Sequence, residues 1–334
     1  MKSFIFIVFL LFLNSSNANE GQISSLNDID IWWEAHGDNS NQPVLMIMGL
    51  NSNLKRWPPE LIQGLVNQNL YVITYDNRDT GKSTWPTKES AVIKFIKYMP
   101  VFIQEPIVDW FFDQMLDERG QFKMGGVPSQ YNLEDMALDG ISLLDHLKID
   151  KAHIVGASMG GMIAQVIALK YPERVKTFTG IMTTPGFDTA GLSGPYPEYV
   201  KAMRESFILT LQGKPYESSE VVNLALIGPS FLKLEYENLK KILKSMAEHG
   251  NNPNSGHMAA VGSSPNRFKK LKEVSIPTLI IHGTEDPLIP VDHGEAIANQ
   301  IKNSEKLIIE GMGHNFPTLV IPAIIEEMVN HFEE

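Results

Sequence analysis

The chain has 334 residues, enough for one large α/β domain with an insertion or for two domains. Apolar residues make up 43% and charged residues 20%, globular values that argue against wholesale disorder. A formal net charge of -11 with no basic cluster argues against a nucleic-acid partner, and the absence of cysteine excludes disulfides, thiol nucleophiles and a cysteine-borne lipid anchor.

The first eighteen residues stand apart. Lys2 is followed by an unbroken apolar run from Phe4 to Leu13, and Ser16-Asn17-Ala18 carries small residues at the positions that signal peptidase reads. The run is half the roughly 20 residues of a spanning helix. It predicts a cleaved secretory signal over residues 1–18 and a periplasmic or secreted protein; the competing reading is an uncleaved anchor.

Ile23 to Ala35 alternates apolar and polar residues around the turn formers Asn27-Asp28, which predicts an edge hairpin. Val44 to Met48 is continuously apolar, as in a strand buried on both faces of a parallel sheet. Gly49-Leu50-Asn51 follows it, then a helix near Pro59 to Gln68. A backbone N–H in that turn, assigned to Leu50, is placed to stabilise an oxyanion.

Leu70 to Tyr75 is the next strand. The run Asp76-Asn77-Arg78-Asp79-Thr80-Gly81-Lys82-Ser83 contains Gly-Lys-Ser, but the glycine that a phosphate-binding loop needs five positions earlier is Asp76. That reading fails, and Asp76, Arg78 and Ser83 are expected to brace one another. Trp85 to Pro128 is a long aromatic insertion broken by prolines; its readings are lid helices at the site mouth, a packing satellite or a membrane-touching surface. Asn132 caps a helix from Leu133 to Leu147, with Glu134 and Asp135 in its first turn.

Ala152 to Val155 reads as a buried strand, and a helical pattern begins at Met159. Between them, Gly156-Ala157-Ser158-Met159-Gly160 matches G-x-S-x-G. A serine on so sharp a strand-to-helix turn projects its hydroxyl above the sheet, while the two glycines admit close neighbours. The helix N-terminus aims free N–H groups at it, so the Met159 amide is the second oxyanion donor.

Val175 to Met182 is a strand. From Thr184 to about Lys270 the α/β alternation stops, and helices near Glu198 to Leu211, Ser218 to Leu226 and Leu234 to Glu248 predict a cap over the strand ends. The core then resumes with a strand at Thr278 to His282, a helix at Pro290 to Ile301, a strand at Lys306 to Ile309 and a terminal helix. The division is thus core over 19–184 with the insertion 85–128, cap over 185–270, and core again over 271–334.

Strand ends present Ser158, Asp286 and His314 in that order. Serine needs a base, histidine has the pKa for that task, and a carboxylate holds the imidazole in one tautomer. Among nine histidines, only His314 sits in a glycine-flanked loop directly after the last strand. His282 is expected to shape the acid loop, and His257 and His293 fall in cap or surface segments. The rival acid is Glu285, whose side chain should point away if Asp286 points inward. No histidine and carboxylate spacing resembles a metal site, and no cofactor is implied.

With these residues in place, the chain resembles the α/β-hydrolase superfamily and, within it, is similar to the aclacinomycin methylesterase-like group. The segments that carry this are MIMGLNSNLKRWP from Met46, VITYDNRDTGKST from Val72, HIVGASMGGMIAQVIAL from His153 and IPTLIIHGTEDPLIPVDHG through GMGHNFP from Ile276. The resemblance implies a mostly parallel central sheet flanked by helices, with a helical cap. It implies Ser158 as nucleophile, His314 as base, Asp286 as acid, Leu50 and Met159 amides as oxyanion hole, and a cofactor-free carboxylic ester hydrolase acting on a small-molecule ester. Met48 stands where many relatives have histidine, so only a backbone role survives there. Other chemistries on the same triad are C–C hydrolysis, amide hydrolysis and perhydrolysis; a ligand-binding receptor is the rival of a different class.

Overall fold

A computed structural model describes residues 21–118, 120–123 and 128–333. The signal expected over 1–18 lies outside the described residues, as do parts of the 85–128 insertion. Among the described residues, no helix is long and apolar enough to cross a membrane.

The sheet has eight strands: β1 (Gln22–Leu26), β2 (Ile29–His36), β3 (Gln42–Ile47), β4 (Leu70–Tyr75), β5 (Ala152–Ala157), β6 (Val175–Ile181), β7 (Thr278–Gly283) and β8 (Glu305–Ile309). Their order is β1-β2-β4-β3-β5-β6-β7-β8. β1 and β2 form an antiparallel hairpin, β2 joins β4 antiparallel, and every pairing from β4 to β8 is parallel. The hairpin turn is as expected: Asn27 and Asp28 take φ of 47° and 64°, the doubly left-handed turn whose twist matches that of its strands.

The continuous apolar runs are explained by burial on both faces. On one face Leu45 and Ile47 of β3 join α4 (Leu133–His146), α5 (Met159–Lys170) and α10 (Val291–Gln300) in one core. On the other face Val44 and Met46 meet α1 (Pro59–Asn67) and α11 (Ile321–Phe332). Adjacent residues of a strand point to opposite faces, so one run feeds two cores. Helix α4 begins with a complete capping box: Asn132 accepts from the Glu134 and Asp135 amides, and Asp135 accepts from the Asn132 amide.

The insertion folds into α2 (Ala91–Lys97) and α3 (Val101–Met115). Ile96, Val108 and Phe112 bury against Leu211 of α6 (Pro197–Leu211), while Phe95, Tyr98, Phe102 and Trp110 stay exposed. It is a satellite packed on the cap. The cap itself comprises α6, α7 (Pro215–Leu224), α8 (Leu232–His249) and α9 (His257–Ser263). The short α9 escaped the sequence reading because seven residues carry too little periodicity.

The expected brace among Asp76, Arg78 and Ser83 needs correction. Ser83 Oγ does donate to the Asp76 carbonyl, but Arg78 turns away and clasps Asp139 of α4 through Nε and Nη2, each at 2.7 Å. The Asp76 carboxylate instead accepts from the Leu54 and Lys82 amides and faces His249 Nε2 at 2.7 Å. Both Asp76 oxygens are already engaged, whereas Asp139 offers its two coplanar oxygens to the guanidinium fork.

Candidate active site

The strand–turn–helix around Ser158 determines the site. Ser158 has φ 56° and ψ -120°, a strained conformation that persists because its surroundings overdetermine it. Its amide donates to the Ile181 carbonyl, and its own carbonyl accepts from the Gly161 and Met162 amides and from Thr183 Oγ1. A Cβ on Gly156 would lie 2.2 Å from the Gly160 carbonyl oxygen, and one on Gly160 would lie 1.9 Å from that of Ile47. Both glycines are therefore required by close backbone approach.

Two loops converge on this serine. His314, after β8, places Nε2 2.9 Å from Ser158 Oγ, and its Nδ1 lies 2.6 Å from Asp286 Oδ2. A carboxylate only accepts, so Nδ1 carries the proton and Nε2 is free to accept the serine hydroxyl proton. Asp286 is fully buried; its Oδ1 accepts from the Leu288 and Ile289 amides. Burial alone would raise the Asp286 carboxyl. The facing His314, with His282 close by, outweighs it and holds the group well below the usual carboxylate range.

His282 has the loop-shaping place expected of it: Nε2 donates to the Ile289 carbonyl at 2.8 Å and stands 3.5 Å from Asp286 Oδ2. Glu285 points away and accepts from Ser230 N and Oγ. Cap residues also hold the base loop, since the His314 amide donates to the Leu226 carbonyl.

The turn after β3 lies against the serine: a Cβ on Gly49 would come within 2.9 Å of Ser158 Cβ. Asn77 Nδ2 donates to the Met48 carbonyl, Ser52 N to that of Gly49 and Ser52 Oγ to that of Leu50. Among the described residues neither the Leu50 nor the Met159 amide has an acceptor; the first follows Gly49, which packs on Ser158, and the second follows Ser158 itself.

His257 lies in the cap, as expected, at the start of α9. It is fully buried under this turn, accepting from the Asn51 amide through Nδ1 at 3.0 Å. Asn77, Thr183 and His257 are supporting residues that sequence reading missed. Only the Asn77 position, in the turn after a buried strand, carried a signal. Among the described residues no cluster of three or more His, Asp or Glu side chains could hold a metal ion.

A family model described as alpha/beta hydrolase fold matches residues 42–317. Rhodomycin D methylesterase DnrP of Streptomyces peucetius is 27% identical over 312 residues, covering 88% of this chain and 92% of that protein. 3-Oxoadipate enol-lactonase 2 of Acinetobacter baylyi is 25% identical over 202 residues, 60% of this chain and 72% of that one. Among solved structures, a hydrolase from Pseudomonas aeruginosa PA01 superposes with TM-score 0.68 at 20% identity, over 95% of this chain and 99% of that one. The enol-lactonase from Burkholderia xenovorans LB400 superposes with TM-score 0.67 at 17% identity, over 94% and 100%.

Proposed function

The chain belongs to the alpha/beta hydrolase fold family, and from that premise we propose that it is a cofactor-independent serine hydrolase of carboxylic esters. The observation that carries this reading is the continuous hydrogen-bonded line from Ser158 Oγ through His314 to a buried Asp286, at 2.9 and 2.6 Å, on a strained turn.

In the proposed reaction, Ser158 Oγ attacks the ester carbonyl carbon while His314 Nε2 takes its proton. The Leu50 and Met159 amides hold the oxyanion. His314 returns the proton to the departing alkoxide, the alcohol leaves, and an acyl-serine remains. Water, deprotonated by the same nitrogen, then releases the acid and regenerates the serine. Asp286 stays ionised throughout and stabilises the imidazolium.

The substrate class proposed is the methyl ester of a larger apolar or aromatic acid. Its support is the similarity to methylesterases over most of both chains. For location we propose export to the periplasm or medium on the Lys2 to Ala18 segment, which a fractionation experiment with the amino-terminal mass of the product would check.

The test is a fluorophosphonate probe on the purified protein beside Ser158→Ala, with p-nitrophenyl esters of increasing acyl length. Labelling that disappears in Ser158→Ala, together with turnover, supports the reading. A folded protein that neither labels nor turns over esters overturns it.

A further inference from the structure

The turn that carries the Leu50 amide is held from outside the core. His257, the first residue of cap helix α9, is fully buried and bonded at both ring nitrogens. Nδ1 accepts the Asn51 amide at 3.0 Å, and Nε2 faces the Arg78 carbonyl oxygen at 2.7 Å. An N–H must meet a carbonyl and a lone pair must meet an N–H, so the two partners select one neutral tautomer.

The ring is itself held. Asp79 accepts from the Gly256 amide and from Asn252 Nδ2, and the Tyr131 hydroxyl donates to the same carboxylate at 2.6 Å. The Tyr131 ring stands edge-on to the imidazole, with centroids 6.4 Å apart. These contacts tie the segment before α9 to the turn after β4, and that turn supports the Met48 carbonyl through Asn77.

Asn51 takes φ 54°, a left-handed conformation that asparagine tolerates better than other non-glycine residues. Rotation of the Asn51 peptide would swing the preceding residue's amide as well, because Leu50 and Asn51 share the turn. The Asn51 N–H is consumed by His257, whereas the Leu50 N–H, one peptide earlier, has no acceptor among the described residues and follows Gly49, which lies against Ser158.

We propose that His257 is a positioning residue for the oxyanion hole: by accepting the Asn51 amide from the cap, it holds the Leu50 amide in the orientation that meets the developing oxyanion. This rests on the serine-hydrolase reading above. A donor that must be in place before charge develops contributes to the transition state and little to ground-state binding. Loss of the latch therefore lowers kcat and leaves KM nearly unchanged.

Two conservative variants separate the two ring nitrogens. In His257→Asn the amide oxygen falls near the place of Nδ1 and keeps an acceptor for Asn51. In His257→Gln the amide group reaches the place of Nε2, keeps a donor for Arg78 and loses the acceptor. Steady-state hydrolysis of a p-nitrophenyl ester, the rate of fluorophosphonate labelling and thermal unfolding are measured on the full chain and both variants. The expected result is a kcat for His257→Gln lower by about tenfold or more, with KM within about threefold, slower labelling, and a kcat for His257→Asn within about threefold of the parent. A parental kcat in His257→Gln, or equal losses in both variants that follow their loss of stability, would overturn the proposal. Loss of parental turnover in Ser158→Ala is the separate control: its failure would remove the serine-hydrolase reading itself.

Discussion

His314 Nε2 lies 2.9 Å from Ser158 Oγ although 156 positions separate the two residues along the chain. Each sits on a loop at the same end of the parallel sheet, and neither can act alone in the proposed reaction. Groups that act as one unit lose their effect together. Ser158→Ala, His314→Ala and the double variant are each expected to lower ester turnover by about 10⁴-fold or more, with the double variant no worse than either single. Steady-state kinetics would show it. Multiplying losses in the double variant would mean that the two side chains serve separate steps.

Asp286→Asn keeps the shape of the acid but replaces a pure acceptor. The amide can present its NH2 to His314 Nδ1 and thereby favour the opposite imidazole tautomer, which leaves Ser158 without a base. Turnover should fall by about 10³- to 10⁴-fold while the unfolding temperature changes little. Glu285→Gln, which alters only the contact with Ser230, should retain activity within about threefold. Activity that depends on Glu285 and survives in Asp286→Asn would reverse the assignment of the acid.

Gly160→Ala places a methyl group 1.9 Å from the Ile47 carbonyl oxygen. Backbone on both sides must then shift, a cost of several kcal/mol by comparison with overpacked cores. The variant should fold poorly or unfold well below the parent in a thermal scan. Gly191→Ala, where a Cβ meets nothing within 4 Å, is a useful contrast although its φ of 87° carries strain of its own. Parental stability in Gly160→Ala would show that the elbow is looser than its contacts imply.

Acid should destabilise the fold well before ordinary carboxylates titrate. Burial pushes His257 down to about 4, and burial with Lys176 and His331 nearby pushes His153 down to about 3. Both bind fewer protons folded than unfolded, so their stability is fully present above about pH 6.5 and is lost as pH falls, toward about 4 for His257 and about 3 for His153. The Asp286 carboxyl, held low by its histidine neighbours, adds a second loss as pH falls below about 4. For His257 alone the difference is on the order of 3 kcal/mol. Unfolding midpoints should drop between pH 6.5 and 4.5, and His153→Gln should flatten part of that slope. A midpoint constant from pH 7 to 4.5 would contradict the neutral, buried state of both rings.

Much of the fold was legible because its signals are local. Asn27-Asp28 adopt left-handed dihedrals that most side chains resist, so the hairpin turn is written in two residues. Asn132 and Asp135 complete their capping box within one helical turn. Gly156, Ser158 and Gly160 encode a turn that only those residue types tolerate, and the central strands were readable because burial on both faces makes them mostly apolar.

What the chain alone could not show is which distant side chain satisfies which polar group. Arg78 and Ser83 sit beside Asp76 in sequence, yet Arg78 reaches Asp139, 61 positions away, because α4 brings a buried carboxylate to it. His257 meets the Asn51 amide across 206 positions. The sequence by itself determined the elbow, the order of strands and loops, and the residue types that can meet at the site, since short-range sterics and hydrophobic period decide those. Only the tertiary structure decided the pairings, because a buried donor or acceptor must be satisfied by whatever packing brings within 3 Å, and packing is a property of the whole core.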